Sequence, residues 1–255
     1  MTQTSKKSRF GWIKWIFLGL AGIVGILFFL GWLASKPLPE GKTGPAADDL
    51  ARAMMTSVNC EAWDTTGAVS WQFRDNHHLW DRERHLAQVV WGEYLVLVNI
   101  NERTGLAYHQ GQQVMGEEAA KLIDQAWKAW VNDSFWLNAV CKAFDGGTSR
   151  STVQLEDGRQ GVMVSYSSGG ATPGDSYLWL LDENNRPTAW QMWVGIIPVG
   201  GVEVSWEDWM QLETGAWIAG AHKGSGGLEI PIANIQGAAT LKALLPDQPD
   251  PFRDL

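Results

Sequence analysis

Residues 93–101 read EYLVLVNIN, and residues 177–181 read YLWLL. In the first stretch Tyr94, Val96, Val98 and Ile100 fall on one face of an extended chain, and Leu95 and Leu97 fall on the other. An antiparallel strand with one solvated face shows polar residues on that side. These two do not, so something covers their second face: another sheet, helices, or a bound apolar ligand.

Period-two patterning continues on both sides of these stretches. Val69, Trp71 and Phe73 alternate with polar neighbours in residues 68–74, and residues 85–91 and 106–109 read as further strands. Beyond the midpoint, strands are predicted over residues 151–156, 161–167, 176–182, 187–195, 202–209 and 216–222. The turn-forming DENNRP at 182–187 joins two of them as a hairpin. Helical spacing occurs twice. Residues 46–59 place Leu50, Met54 and Val58 along one face. Residues 117–131 carry a stripe of Ala119, Leu122, Ile123, Ala126, Trp127 and Trp130, with Glu117 and Glu118 suited to the first turn. A compact aromatic segment, NDSFWLNAVCKAFD, follows at 132–145. The expected class is mainly β with helices (α+β), as one domain over residues 46–245.

The N-terminus has a different character. Residues 15–34, WIFLGLAGIVGILFFLGWLA, carry no charge and match the roughly 20 residues a helix needs to span a bilayer. Trp12, Trp15 and Trp32 stand near the two ends, and Lys6, Lys7, Arg9 and Lys14 precede the run. That bias predicts a basic cytoplasmic tail (residues 1–14), a single transmembrane helix from Trp15 to Ala34, and the bulk of the chain outside the cytoplasm. A cleaved signal peptide fits less well, because cutting after Ala34 would put the bulky Trp32 where a small residue is required. Residues 35–45, SKPLPEGKTGP, read as a Pro/Gly linker unsuited to a sheet position, and residues 246–255 as a loosely held tail.

The net charge of −8 conceals an asymmetry, since residues beyond 36 hold 15 basic against 28 acidic side chains. A domain so negative is unsuited to nucleic acid. Cys60 and Cys141 both lie in this part. They permit a disulfide in an oxidising compartment, or else two buried thiols.

Polar clusters suggest little chemistry. In HHLWDRERH at 77–85, an extended chain would put His77, Leu79, Asp81, Glu83 and His85 on one face. Of these only Glu83 and His85 have useful spacing, with His109 as a third ligand from elsewhere; zinc needs three or four that converge. Gly174-Asp175-Ser176 lacks the Gly-x-Ser-x-Gly pattern of a nucleophile elbow. The Gly-rich stretches at 167–174 and 224–227 lack the Lys-Ser/Thr of a phosphate loop. No catalytic residue, metal or cofactor is expected.

Several stretches, in order, are similar to a known family: HLWDR at 78–82, NDSFWL at 132–137 with KAFDG at 142–146, and TPGDSY at 172–177 leading to DENNRP and Trp190. The sequence resembles exported LolA-like proteins, relatives of the bacterial outer-membrane lipoprotein carrier. That resemblance implies an incomplete antiparallel β-barrel whose concave face is closed by helices over an apolar cavity. It also implies a periplasmic domain with lipid or lipoprotein acyl chains as ligand, for hand-off or sensing, which the predicted N-terminal helix would hold at the bacterial inner membrane. The chain departs from the carrier in its predicted tether. On the alternation argument Trp71, Phe73, Val96, Val98, Trp179 and Trp193 are the candidate cavity lining, although strand phase decides which face is concave. The competing expectation is a cell-envelope scaffold with a packed core, whose outer surface binds an envelope protein partner.

Overall fold

The computed structural model describes residues 15, 16, 19, 35–168 and 173–255. The predicted span 15–34 therefore lies outside the described residues except at Trp15, Ile16 and Gly19. Among the described residues no helix is long and apolar enough to cross a membrane.

Within residues 35–255 the first elements are helix α1 (Pro45–Ser57) and the short α2 (Cys60–Asp64). Between them Asn59, at the end of the predicted helix, adopts a left-handed conformation and its side chain accepts the Ala62 N–H, capping a second helix that the sequence reading omits. A meander follows: β1 (Ala68–Phe73), β2 (Asn76–Asp81), β3 (Leu86–Trp91), β4 (Tyr94–Asn99), β5 (Thr104–His109) and β6 (Gln112–Val114). The long helix α3 (Gly116–Asn138) then runs on into a 3-10 turn, Ala139–Lys142. The second meander comprises β7 (Thr148–Gln154), β8 (Gln160–Tyr166), β9 (Ser176–Leu181), β10 (Pro187–Trp193), β11 (Val202–Ser205), β12 (Glu207–Gln211), β13 (Trp217–Gly224) and β14 (Leu228–Ala238). A last turn of helix, α4 (Leu241–Leu244), follows it.

All fourteen strands join one antiparallel sheet, in the order β6-β5-β4-β3-β2-β1-β14-β13-β11-β10-β9-β8-β7, with β12 also paired to β13. The seam between the two meanders is β1 against β14, where Ala68 faces Ala238 and Phe73 faces Ile232. The sheet does not close; β6 and β7 are its edges. The sequence reading omits β14, the strand at the centre of the sheet. Its alternation is interrupted by Pro231 and by Asn234 at φ 54°, where the pairing with β1 shifts register. At Pro231 the strand is still one-sided, because pairing with β1 begins one residue later.

One face of the sheet is covered by the helices. Ile123 and Ala126 of α3 pack on Val89, Val96, Val98 and Ala107. Further along, Leu137 joins Trp63, Trp71 and Ile218, and Phe135 and Trp136 pack against the β8–β10 side. Cys60 and Cys141 form a disulfide that ties α2 to the 3-10 turn beneath this layer.

The other face is covered by chain from both ends of the domain. Leu79, Leu86 and Leu97 pack around Phe252, with Leu241, Leu244 and Leu245 beside them. The tail expected to be loose is thus anchored, because β4 needs its outer leucines covered. On the opposite wing Val153, Met163 and Leu178 pack with Leu180 and Trp193, and Lys36, Pro37 and Pro39 line the groove beside them. The linker also differs from expectation. Lys42 and Thr152 exchange two backbone hydrogen bonds of 2.9 Å, so Lys42 caps the exposed edge of β7.

Candidate functional site

A cavity of about 210 Å³ opens between the C-terminal half of α3, the turn after it, and strands β8–β10. Its floor is aromatic. Phe135 and Trp136 extend from α3 because residues 132–138, expected as part of a separate aromatic segment after the helix, continue it. The Phe135 ring lies 5.1 Å from that of Tyr177 and 5.8 Å from that of Trp190, and Trp136 meets Trp190 at 4.9 Å. Met192 and Val194 continue the wall along β10 and past its end, and Ile196 and Ile197 form the rim. These contacts hold the aromatic floor in place without a ligand.

Polar groups also line the cavity. Asp175 is buried; its Oδ1 accepts the Gly195 N–H at 2.9 Å and its Oδ2 faces the Tyr177 hydroxyl at 3.4 Å. Burial, with the Asp175 charge adding to it, pushes the Tyr177 phenol well above the usual tyrosine range. Burial and Asp145 do the same to Tyr166. Both phenols are neutral at any physiological pH and serve as hydrogen-bonding groups on an apolar wall. Lys142 and Asp145 form an ion pair at the mouth. The arrangement suits a hydrocarbon chain inside and a polar group at the opening.

The remaining buried polar groups are structural. His78 Nε2 lies 2.7 Å from Asp133 Oδ2, the Asn76 amide donates to the same oxygen, and Trp71 stacks on the His78 ring at 4.5 Å. Asp133 thereby joins α3 to β2. His222 is enclosed by Trp136 and Trp206, and burial lowers its pKa to about 4. Arg82 donates to the carbonyls of Trp63 and Thr66, and burial lowers its pKa. Asp81 pairs with Arg84 at 2.7 Å.

The sequence stretch 77–85 is not one extended face. Strand β2 stops at Asp81, a turn follows, and His85 has φ 56°. Glu83 and His85 sit in that turn, while His109 on β5 stacks on Tyr94 and lies 3.6 Å from Glu93. Among the described residues no group of three or more His, Cys, Asp or Glu could hold a metal ion.

No protein-family model matches the chain, and no curated protein matches it. Among solved structures it is similar to a DUF1329 family protein from Desulfovibrio piger, at 9% identity and a TM-score of 0.37, over 75% of this chain and 92% of that one. It is also similar to a candidate outer membrane lipoprotein-sorting protein domain from Vibrio parahaemolyticus, at 7% identity and a TM-score of 0.35, over 73% of this chain and 93% of that one. Likenesses of that size are too loose to assign the chain to either group.

None of the six residues proposed from alternation lines this cavity. Trp71 and Phe73 are buried between β1 and its neighbours, and Val96 and Val98 are buried under α3. Trp179 points to the helical face but lies behind Trp190, at 5.0 Å from it and 4.9 Å from Trp206. Trp193 points to the opposite face, where its indole N–H donates to Lys36 O. The residues that do line the cavity come largely from stretches quoted above as individual motifs. Asn132, Phe135 and Trp136 belong to NDSFWL, Lys142, Asp145 and Gly146 to KAFDG, and Asp175 and Tyr177 to TPGDSY. The usable signal was that three short aromatic and polar segments, two of them near neighbours at 132–146 and the third at 172–177, each mixed apolar bulk with a charge.

Proposed function

We propose that this protein binds a single apolar chain, such as an acyl chain of a lipid or lipoprotein, in the cavity under α3, as a domain held at the outer side of a bacterial inner membrane. The observation that carries the reading is the convergence of NDSFWL, KAFDG and TPGDSY on one open cavity with an apolar floor and a polar mouth. The cavity volume limits the ligand. About 210 Å³ falls below the roughly 300–1,000 Å³ of pockets that enclose drug-sized molecules. One chain segment fits, and the full set of chains on a lipoprotein does not. The disulfide agrees with an oxidising compartment, and residues 15–34 supply the tether. Binding of this kind needs no catalysis and no metal.

The test is photolabelling of the full chain with a diazirine-bearing fatty acid, followed by peptide mapping. Label is expected on peptides containing residues 131–136 and 190–197, and Val194→Trp, which fills the cavity, should remove it, with circular dichroism checking that the variant still folds. Label confined to the N-terminal apolar run would refute the binding reading. It would favour the scaffold alternative, which is supported by the dense packing of the rest of the helical face.

A further inference from the structure

The first residues after the apolar run are fastened, on the face of the sheet opposite to the cavity, to the loop whose earlier residues form the cavity rim. The Gly200 N–H donates to Ser35 Oγ at 2.9 Å, the Lys36 N–H donates to Gly200 O at 2.9 Å, and the Trp193 indole N–H donates to Lys36 O at 2.8 Å. The approach is close enough that a Cβ on Gly200 would stand 2.8 Å from Lys36 O. Gly200 belongs to the loop between β10 and β11, and the same loop supplies Ile196 and Ile197 to the cavity mouth. Residues 195–202, GIIPVGGV, hold no charged side chain. Ile196 is 74% exposed, and Leu38 on the incoming segment is 52% exposed.

From this we infer a docking surface: the 195–201 loop sits in the headgroup layer of the membrane that holds the chain, so that the cavity opens toward that leaflet and takes its ligand from it directly. The inference rests on the proposed acyl-binding function and on residues 15–34 as a membrane span. Distance supports it. From Ala34 to Lys36 is two residues, which reach at most about 7 Å. The polar layer on each side of a bilayer is about 5–8 Å thick. Gly200, bonded to both Ser35 and Lys36, is therefore held within or just above that layer.

Composition supports the same partner. A loop pinned at an interface beside water only would gain nothing from an exposed Ile196, whereas apolar side chains beside a Trp are favoured where headgroups meet hydrocarbon. The domain's acidic balance makes attraction to anionic lipid an unsuitable driving force. Docking by this loop should be insensitive to salt and to the anionic lipid fraction, unlike that of a polybasic patch.

The experiment uses the full chain in vesicles of phosphatidylethanolamine and phosphatidylglycerol that contain a nitroxide-labelled phospholipid. An environment-sensitive fluorophore is placed on Ile196→Cys, and in a second protein on Asn184→Cys. Asn184 lies in the turn at the far end of β10, about 20 Å away at roughly 3.3 Å per residue. The expected result is blue-shifted, nitroxide-quenched emission at position 196 and unquenched, water-like emission at 184, in both low and high salt. Water-like emission at both positions overturns the docking surface, as does release of the chain by alkaline carbonate. If the diazirine fatty acid still labels residues 131–136 in that case, the binding function stands and only its orientation toward the membrane fails. Quenching at 196 with no label in the cavity keeps the docking surface and removes the acyl-binding function.

Discussion

Phe252→Ala should destabilise the domain by about 3–5 kcal/mol, the range for removing a buried aromatic side chain. The residue lies in a Pro- and Asp-rich segment, where composition alone suggests a tolerant position. Yet its side chain is 1% exposed and packs among Leu79, Leu86 and Leu97. Its own N–H is held by Asp250 Oδ1 at 2.9 Å, and Asp250 pairs in turn with Arg84. Losing the ring leaves the outer leucines of β2–β4 open to water, as well as a void. At about 2–4 °C per kcal/mol for a domain of this size, the melting temperature should fall by roughly 6–20 °C. Differential scanning calorimetry of the full chain measures it, with Arg84→Ala as the comparison. The Arg84–Asp250 pair is about 40% exposed on both sides and worth no more than about 1 kcal/mol; Arg84→Ala also strands the buried Asp81 carboxylate, so its total cost should be about 1–3 kcal/mol, still below that of the ring. Equal effects of the two substitutions would mean that the tail does not cover the sheet.

Three further outcomes can be checked by urea denaturation. Replacing Cys60 and Cys141 by Ala should lower stability by about 4 kcal/mol in the chain-entropy view, given a sequence separation of 81; an unchanged midpoint with and without reductant would argue against the bond. His222 has a folded pKa of about 4, depressed by burial, against about 6.5 unfolded. Between those values the unfolded chain binds the extra proton, so stability is full above pH 6.5 and falls by about 3 kcal/mol as pH drops toward 4. His222→Phe should remove that part of the pH dependence. Asp133→Ala strands the buried His78 ring and removes the acceptor of the half-buried Asn76 amide, and should cost about 1–3 kcal/mol, mainly for His78; a loss below about 1 kcal/mol would show that water satisfies it.

The two-sided character of β4 and β9 was legible in EYLVLVNIN and YLWLL, and it required a second cover. What supplies that cover was not legible, because it comes from far away: Phe252 over Leu97, and the segment after Ser35 beside Leu178 and Leu180. β14 escaped notice because Pro231 and the turn at Asn234 break its alternation. The predicted helix stops at residue 131, whereas α3 runs on to Asn138 with Asp133 pointing inward to His78. At the site the difficulty was phase. Trp190 and Met192 face the cavity while Trp193, one residue on, faces away, and Trp179 has the right face but the wrong depth. Alternation identifies a face and not a position along it, so the cavity lining had to come from segments that converge only in three dimensions.

The seam between β1 and β14 also has a kinetic consequence. Ala68 waits for Ala238, 170 residues later, before its strand has a second neighbour. Each meander can pair strand by strand as it emerges from the ribosome, but the two halves join only when nearly the whole domain is available. Until then the edge of β1, with Val69, Trp71 and Phe73 beside it, stays open to other chains. Such long-range closure slows folding and prolongs the interval in which edges can aggregate. A truncation that stops before residue 228 should leave an aggregation-prone chain, and not a smaller stable domain.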